Sequence, residues 1–217
     1  MIVRNFTTND VPSLKTTDTV QYALLMMDDF SVRNLPIVDN GKLLGYALFL
    51  QLESLNPDML LSELNYGNQP VSIDQNFSVI KGLQLLSNNK FDVLAVTDDN
   101  SYTGLIWSKD IIHGLGQSTT AQSDGSVLLL RCNVYNYSIS EIGRLIEAED
   151  GKLLGLWTWQ PEGNQNIDVL LKLNIRHIDN ICQILQSNGY TLLNQINMQS
   201  DDVFDERYKS LINYLDI

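Results

Sequence analysis

Apolar residues in the first half of the chain switch between helical and strand spacing in a fixed order. Residues 20–27 carry apolar side chains at helical spacing, and residues 17–19 just before them supply N-cap candidates. Residues 34–38 form a short β-type run, which residues 39–42 close as a tight turn before a second run over 43–48. The pattern predicts helix, strand, turn, strand and then a short helix.

The same order returns 59 residues later. It predicts a helix over 79–87, strands over 93–97 and 102–107 with a turn over 98–101, and a helix over 109–115. The shift superimposes about thirty positions without a gap. Its identities are Val20 with Val79, Leu24 with Leu83, Leu35 with Leu94, Asp39 with Asp98, and Gly45 with Gly104. Such self-similarity indicates one supersecondary unit present in two copies that bury their apolar faces against each other.

The second half has a different pattern. Strand-like runs and helical runs follow one another in the order βαββαβ, which is the ferredoxin-like arrangement. In that order the runs cover residues 126–132, 140–148, 153–160, 168–173, 178–187 and 190–193. The last residues have Phe204, Tyr208, Leu211, Ile212 and Leu215 at helical spacing. This apolar stripe would either dock on its own domain or pair across a dimer.

These patterns predict an α/β (α+β) fold. A paired repeat occupies residues 1–116, with its copies at about 11–55 and 70–115. Residues 117–125 are polar, lack any period and are interpreted as a linker. A ferredoxin-like domain over 126–200 and a C-terminal helix over 201–217 follow.

Composition restricts the partners. The chain of 217 residues has a formal net charge of −12 and scattered basic residues, which argues against nucleic acid and against anionic membranes. No apolar run approaches the roughly 20 residues that span a bilayer, and the first residues lack the order of a signal peptide. Cys132 and Cys182 lie in apolar segments and are expected to be buried thiols, so we expect a cytoplasmic protein.

The sequence offers no catalytic constellation. His113 and His177 have no Cys or His at ligand spacing, so no metal site is expected. No Gly-rich phosphate loop and no Gly-x-Ser-x-Gly motif is present. We therefore expect a protein without enzymatic activity and without a bound cofactor.

The 59-residue period, the order of elements and the glycine in each second strand resemble a tandem pair of CBS domains, known as a Bateman module. The carboxyl-terminal unit resembles an ACT or ACT-like domain, with residues 136–142 standing where ACT domains turn from the first strand into the first helix. Together the two resemblances imply a regulatory protein. Both families tend to self-associate, which implies a homodimer.

CBS pairs commonly bind adenine nucleotides or S-adenosylmethionine in the cleft between the copies. Their motif is Gly, two apolar residues, Thr or Ser, two variable positions and Asp. In repeat two the motif begins at Gly104 and ends in Trp107, Ser108, Lys109 and Asp110. The resemblance implies a carboxylate at Asp110 for the ribose, Trp107 against the base and Lys109 near phosphate.

A second interpretation of this motif stays open beside nucleotide binding. Trp107 stands at the hydroxyl position and Ser108 follows one residue late. In this interpretation Trp107 fills the cleft and Asp110 serves only as an acid at a helix N-terminus. Repeat one has Leu48 and Gln51 at the two polar positions. No nucleotide site is expected there.

ACT domains often bind amino acids at the turn that opens the first helix. Asn136, Tyr137 and Ser138 stand at that turn, whereas Ile139 occupies the position of a glycine that would admit a ligand carboxylate. The alternative is a turn that only caps the helix through Ser138 or Ser140.

The expected function is therefore non-catalytic sensing. An adenine nucleotide or related effector in the CBS cleft would change how domains or subunits pack, and an unknown regulated protein would respond to that change. The alternative is a structural dimerisation protein whose pockets are filled by its own side chains. An enzyme on a sensor scaffold is disfavoured by the missing catalytic residues.

Overall fold

The computed structural model describes residues 1–66, 69–161 and 163–198, and it divides into two compact units between Gly116 and Gln117. The first unit holds both repeats, and the second holds the βαββαβ segment. No helix among the described residues has the length and apolar character needed to cross a membrane. The predicted C-terminal helix over 201–217 lies outside the described residues.

The first unit contains the predicted order of elements twice. The first copy comprises β1 (Thr7–Thr8), α1 (Val20–Asp29), β2 (Asn34–Asp39), β3 (Lys42–Leu48) and α2 (Phe49–Leu52). The second copy comprises β4 (Ser72–Asp74), α3 (Val79–Asn89), β5 (Val93–Asp98), β6 (Ser101–Trp107) and α4 (Ser108–Gly116). Single 3-10 turns lie at Val3–Phe6 and Leu61–Glu63.

Equivalent residues begin and end the first helix of each copy. The Thr19 hydroxyl accepts a hydrogen bond from the Tyr22 amide at α1, and the Ser78 hydroxyl accepts one from the Ile80 amide at α3. Each cap satisfies a backbone donor that the first turn of a helix leaves unpaired. The turn after each helix contains a left-handed residue at the same repeat position, namely Ser31 with φ 54° and Lys90 with φ 55°.

The two copies exchange their leading segments. Strand β1 pairs with β6 of the second copy, where Thr7 lies opposite Ile106. A Cβ atom on Gly104 would lie 2.8 Å from Thr7 Cγ2, and a Cβ atom on Gly45 would lie 2.7 Å from Tyr66 Cβ. Thr7 and Tyr66 are themselves 59 residues apart, so the exchange is reciprocal. The glycine in each second strand is required because the segment from the other copy approaches so closely.

Sheet pairing follows the same symmetry. The second copy forms a sheet in the order β1-β6-β5-β4, with β4 parallel to β5 through Ile73 and Val96. In the first copy β2 pairs with β3, and a parallel bridge joins Leu14 to Ile37 at the equivalent positions. Each copy has its own buried cluster, and the cluster of the first copy also includes Val93 and Leu105 from the second.

The second unit has the predicted ferredoxin-like topology. Its elements are α5 (Thr119–Gln122), β7 (Gly125–Asn133), α6 (Ile139–Glu147), β8 (Leu153–Trp159), β9 (Asn166–Leu173), α7 (Asp179–Ser187) and β10 (Thr191–Met198). The sheet is antiparallel in the order β10-β7-β9-β8. Helices α6 and α7 contribute to one buried cluster that contains Cys132 and Cys182, both free thiols as predicted.

The segment 117–125, predicted to be a linker, contains one short helix. Residues 119–122 form the single turn α5, whose N-terminus is capped by the Ser118 hydroxyl. The Thr120 hydroxyl donates to the Leu154 carbonyl, and β7 already begins at Gly125. The Ser118 cap is local, whereas Thr120 bonds to a residue far along the chain, and a hydrophobic period detects neither of these polar contacts.

Candidate functional site

Equivalent residues of the two repeats meet where β2 and β5 begin. The Arg33 amide donates to Asp92 Oδ2 at 2.7 Å, and Asp92 stands 59 residues after Arg33. Next to this pair, Asn34 is 2% exposed and its Nδ2 donates to the Val93 carbonyl at 2.8 Å. Asn34 Oδ1 accepts from the amides of Asp92 and Val93. The contact between the repeats is therefore held by a buried amide and a carboxylate rather than by apolar packing alone.

A cavity of about 400 Å³ lies beside this contact, on the side of the first repeat. It is bounded by the end of α1, the turn into β2 and the first residue of α2, with the lining residues Met27, Asp28, Ser31, Val32, Arg33 and Phe49. The Phe49 amide donates to the Arg33 carbonyl at 2.9 Å, which fixes the start of α2 next to Arg33. The volume is within the usual range for small-molecule sites.

The cavity combines an aromatic ring with two opposite charges. Phe49 is half-buried, whereas Asp28 and Arg33 are exposed. The ion pairs in the described part of the chain, Arg131 with Asp168, Arg144 with Glu141 and Arg176 with Asp124, involve neither of them. The Asp28 carboxylate and the Arg33 guanidinium are thus both available to a ligand.

The predicted nucleotide residues lie on the other repeat, at the junction of β6 and α4. Trp107 ends β6 and packs against the buried cluster of the first repeat. Lys109 Nζ lies 2.8 Å from the centre of the Trp107 ring, a cation–π contact. Ser108 begins α4 and its amide donates to the Asp92 carbonyl, while Asp110 lies in the first turn of α4. The structure therefore brings Trp107 and Lys109 together, and neither they nor Asp110 line the 400 Å³ cavity.

The cavity is in the repeat where the motif predicted no site. Leu48 and Gln51 do stand at the two polar motif positions, at the end of β3 and within α2. The cavity is lined by other residues of this repeat, among them Ser31 and Arg33, which the sequence did not predict as site residues. The alignment of the repeats gives one indication of this site: Arg33 is equivalent to Asp92, and the two positions carry opposite charges.

The predicted amino-acid turn of the second unit caps a helix. The Ser138 hydroxyl accepts from the Glu141 amide, and Tyr137 packs against the buried cluster of this unit. Asn136 ends a 3-10 turn and is exposed. A cavity of about 190 Å³ lies elsewhere in the unit, with the lining residues Glu149, His177, Asp179, Asn180 and Ile181. Within the described residues no three His, Cys, Asp or Glu side chains are grouped as a metal site.

Burial raises the pKa of two tyrosines near the repeat contact. The Tyr46 hydroxyl donates to the Val71 carbonyl and accepts from the Ala95 amide, each at 2.8 Å, and desolvation holds its pKa far above the usual range. Desolvation also raises the pKa of Tyr102 to about 12. Tyr46 belongs to β3 but bonds to the segment at β4 and to β5, so it joins the first repeat to the sheet of the second.

Comparison with known proteins identifies the first repeat. The family model of the CBS domain matches residues 3–47, a range that includes the exchanged leading segment. An arabinose 5-phosphate isomerase from Francisella tularensis is 29% identical over 111 residues, which are 48% of this chain and 34% of that protein. An inosine-5′-monophosphate dehydrogenase from Methanocaldococcus jannaschii is 25% identical over 142 residues, 64% of this chain and 29% of that protein. The chain thus spans about a third of the length of these curated relatives.

Several solved structures are similar to about half of this chain. A CBS domain pair/ACT domain protein from Thermotoga maritima is 21% identical, with a TM-score of 0.48 over 53% of this chain and 96% of that one. A structure of CBSX2 in complex with AMP is 20% identical, with a TM-score of 0.47 over 54% of this chain and 96% of that one. A CBS domain pair with 5′-methylthioadenosine and S-adenosyl-L-methionine is 19% identical, with a TM-score of 0.44 over the same shares.

The resemblance of the carboxyl-terminal unit to ACT domains stays a prediction, although its ferredoxin-like topology is observed. The match over residues 3–47 and the repetition of its elements in the second copy confirm the predicted resemblance of the first unit: the chain contains a CBS domain, in an α+β fold.

Proposed function

We propose that the protein is a non-catalytic regulatory protein that binds a small effector in the cavity beside Arg33. The observation that carries this proposal is the cavity itself. It lies beside the contact between the repeats, on the side of the first repeat, and combines the Phe49 ring with the Arg33 guanidinium. An aromatic ring and a cation suit the base and the anionic group of a nucleotide.

The ligands of other CBS pairs supply the probes. AMP, 5′-methylthioadenosine and S-adenosyl-L-methionine are named in the similar structures, and we propose this adenine-containing class for the present chain. The activities of the isomerase and the dehydrogenase are not part of the proposal, because the chain spans only about a third of each.

Asp92 offers a route from the cavity to the second repeat. Its carboxylate accepts from the Arg33 amide, and its carbonyl accepts from the Ser108 amide at the start of α4. An effector that moves the backbone at Arg33 would therefore move Asp92 and with it α4. Such a displacement is the kind of differential contact that allosteric coupling requires.

Two other candidates are kept because observations favour them. The first is a ribose site on the opposite repeat, at Asp110. Lys109 contacts Trp107, and the Asp110 carboxylate in the first turn of α4 would accept hydrogen bonds from the ribose. The packing of Trp107 against the first repeat instead favours a structural protein with a self-filled cleft.

Isothermal titration calorimetry with AMP, ATP and S-adenosylmethionine separates these candidates. We expect saturable binding that Arg33→Gln weakens by about tenfold, since one charge-assisted hydrogen bond is lost. The exposed Arg4→Gln is the control for the charge change and should leave binding unaltered. Loss of binding in Asp110→Ala but not in Arg33→Gln would place the ligand at α4. Absence of binding at millimolar ligand concentrations would favour the structural protein with a self-filled cleft.

The proposal includes a homodimer in the cytoplasm that acts on a regulated protein. Free buried thiols at Cys132 and Cys182 suit a reducing compartment. Sedimentation equilibrium across a concentration series tests self-association, and a single monomeric species would contradict it.

A further inference from the structure

The turn between β2 and β3 contains one of the two Asn-Gly pairs in the sequence, Asn40 with Gly41. Both residues are exposed and left-handed, with φ of 47° and 74°, as in a type I′ hairpin turn. The second pair, Asn188 with Gly189, follows helix α7 and is also exposed. A Cβ atom added to either glycine would have nothing within 4 Å, so both pairs are sterically open.

The two pairs differ in how the protein holds their reactive groups. An asparagine side chain is attacked most readily by the backbone nitrogen of a following glycine, because glycine has no side chain that hinders the attack. The Gly189 amide donates to the Gln186 carbonyl at 3.1 Å. Asn188 Nδ2 donates to the Ile184 carbonyl at 2.8 Å. The end of α7 therefore restrains both reacting groups of the second pair.

The pair in the turn has no such backbone restraint. In the part of the chain that the structure describes, the Gly41 amide donates no hydrogen bond. Asn40 Nδ2 donates at 3.0 Å to Asp39 Oδ2, but this bond joins two exposed side chains and water competes for it. The Gly41 nitrogen and the Asn40 side chain can therefore approach each other without loss of a backbone hydrogen bond.

We propose that Asn40 is a site of spontaneous deamidation, whereas Asn188 is protected. Hydroxide of the solvent removes the Gly41 amide proton, and the nitrogen attacks Asn40 Cγ. The Cγ–Nδ2 bond breaks and ammonia leaves with a proton from water, which regenerates hydroxide and leaves a cyclic succinimide. Water then opens the ring at either carbonyl and gives aspartate or isoaspartate at position 40. One amide is exchanged for one carboxylate, and water is the co-reactant consumed.

The two products differ in their effect on the contact between the repeats. The Tyr102 amide donates to the Gly41 carbonyl at 2.8 Å and so joins the turn of the first copy to β6 of the second. Aspartate preserves the backbone of the turn, since the equivalent residue of the second repeat is Asp99, itself left-handed with φ 45°. Isoaspartate instead adds a methylene group to the backbone between Asn40 and Gly41. The Gly41 carbonyl is thereby displaced from Tyr102.

Peptide mapping by mass spectrometry tests the site on the full chain, incubated in mildly alkaline buffer made with heavy-oxygen water. Each event during the incubation introduces a heavy oxygen atom, so deamidation from before the incubation is not counted. We expect Asn40 to be converted at least about tenfold faster than Asn188, the effect of one hydrogen bond that must open first. In the urea-unfolded chain the two rates should be similar, because the protecting bonds are then absent.

Two substitutions at the turn serve as controls. Asn40→Gly removes the reactive amide and leaves Gly-Gly, which suits the same type of turn, so conversion at this site should disappear. Asn40→Asp introduces the new charge without the added methylene group. In the isoaspartyl form, isolated by chromatography, the Tyr102 amide should exchange its hydrogen at least about tenfold faster than in the parent chain. In Asn40→Asp its exchange should equal that of the parent.

None of the possible outcomes depends on a ligand, so they are independent of the proposed function. Equal conversion of Asn40 and Asn188 in the folded chain, or faster conversion of Asn188, would overturn the proposal. Retention of Asn40 over a period in which the unfolded chain is fully converted would also overturn it. If the Tyr102 amide exchanges equally in the isoaspartyl form and in Asn40→Asp, the assigned displacement of the Gly41 carbonyl is wrong.

Discussion

Asn34 and Val93 occupy equivalent positions in the two repeats and are hydrogen-bonded to each other through both the amide and the carbonyl of Val93. If the two repeats were related by exact two-fold symmetry, the same residue type would stand at both positions. Here one copy supplies a polar side chain and the other supplies backbone. The departure from symmetry therefore lies at the axis itself, next to the cavity.

Replacing Asn34 by valine, the residue of the other repeat, should lower the free energy of unfolding of the first unit by about 2–3 kcal/mol. The buried Val93 carbonyl and the Asp92 amide would lose their partner. The control is Asn5→Val, at an exposed asparagine, which should alter the free energy of unfolding by no more than about 0.5 kcal/mol. Calorimetric unfolding measures both, and equal effects would show that the buried amide adds no stability.

Tyr46→Phe removes a hydroxyl that bridges Ala95 and the Val71 carbonyl. We expect a loss of about 1–3 kcal/mol at neutral pH, because two backbone groups are left without a partner. Leu105, the equivalent residue in repeat two, has no such group, so the bridge exists once. Hydrogen exchange of the Ala95 amide is the sharper measurement, and unchanged protection would contradict the assigned bond.

Alkaline solution should destabilise the first unit. Burial raises the pKa of Tyr102 from 10.0 to about 12, so the unfolded chain releases this proton at lower pH than the folded chain does. The stability from Tyr102 is complete below pH 10 and is lost as the pH rises toward 12. Urea unfolding of Tyr102→Phe should show a shallower decline over this interval. Parallel curves for variant and parent would contradict the raised pKa.

Gly104→Ala should destabilise the first unit by about 1–3 kcal/mol. Its φ is +152°, and a Cβ atom would lie 2.9 Å from the Thr8 carbonyl oxygen, which the backbone holds in place. Gly143→Ala in α6 is the control, since nothing lies within 4 Å and φ is ordinary. Alanine there should stabilise the helix by up to about 1 kcal/mol, and thermal unfolding compares the two.

The long elements were predictable because their residues obey one period each. The strand predicted over 34–38 is Asn34–Asp39, and the helix predicted over 79–87 is Val79–Asn89. Strands β1 and β4 were missed because Thr7–Thr8 and Ser72–Asp74 are too short to show alternation. Strand β1 also depends on Ile106, a partner far along the chain that no local pattern reveals.

The candidate site was less accessible to sequence reasoning than the fold. The motif at Trp107 and Asp110 was found because it occupies a strand end and a helix start with fixed spacing. Ser31 and Arg33 lie between a helix and a strand, where neither period applies. Their common cavity exists only because α1, β2 and α2 converge.

The exchanged leading segments bear on how the first unit is assembled. Residues 7 and 8 complete the sheet of the second copy, and Tyr66 covers Gly45 of the first. Neither copy is complete within its own contiguous stretch of chain, so the two must fold together. Strand β1 can join the sheet only after β6 has formed. Contacts between such distant residues slow folding. Deleting the first eight residues would therefore damage the copy that lies farther along the chain, and not the one that those residues precede.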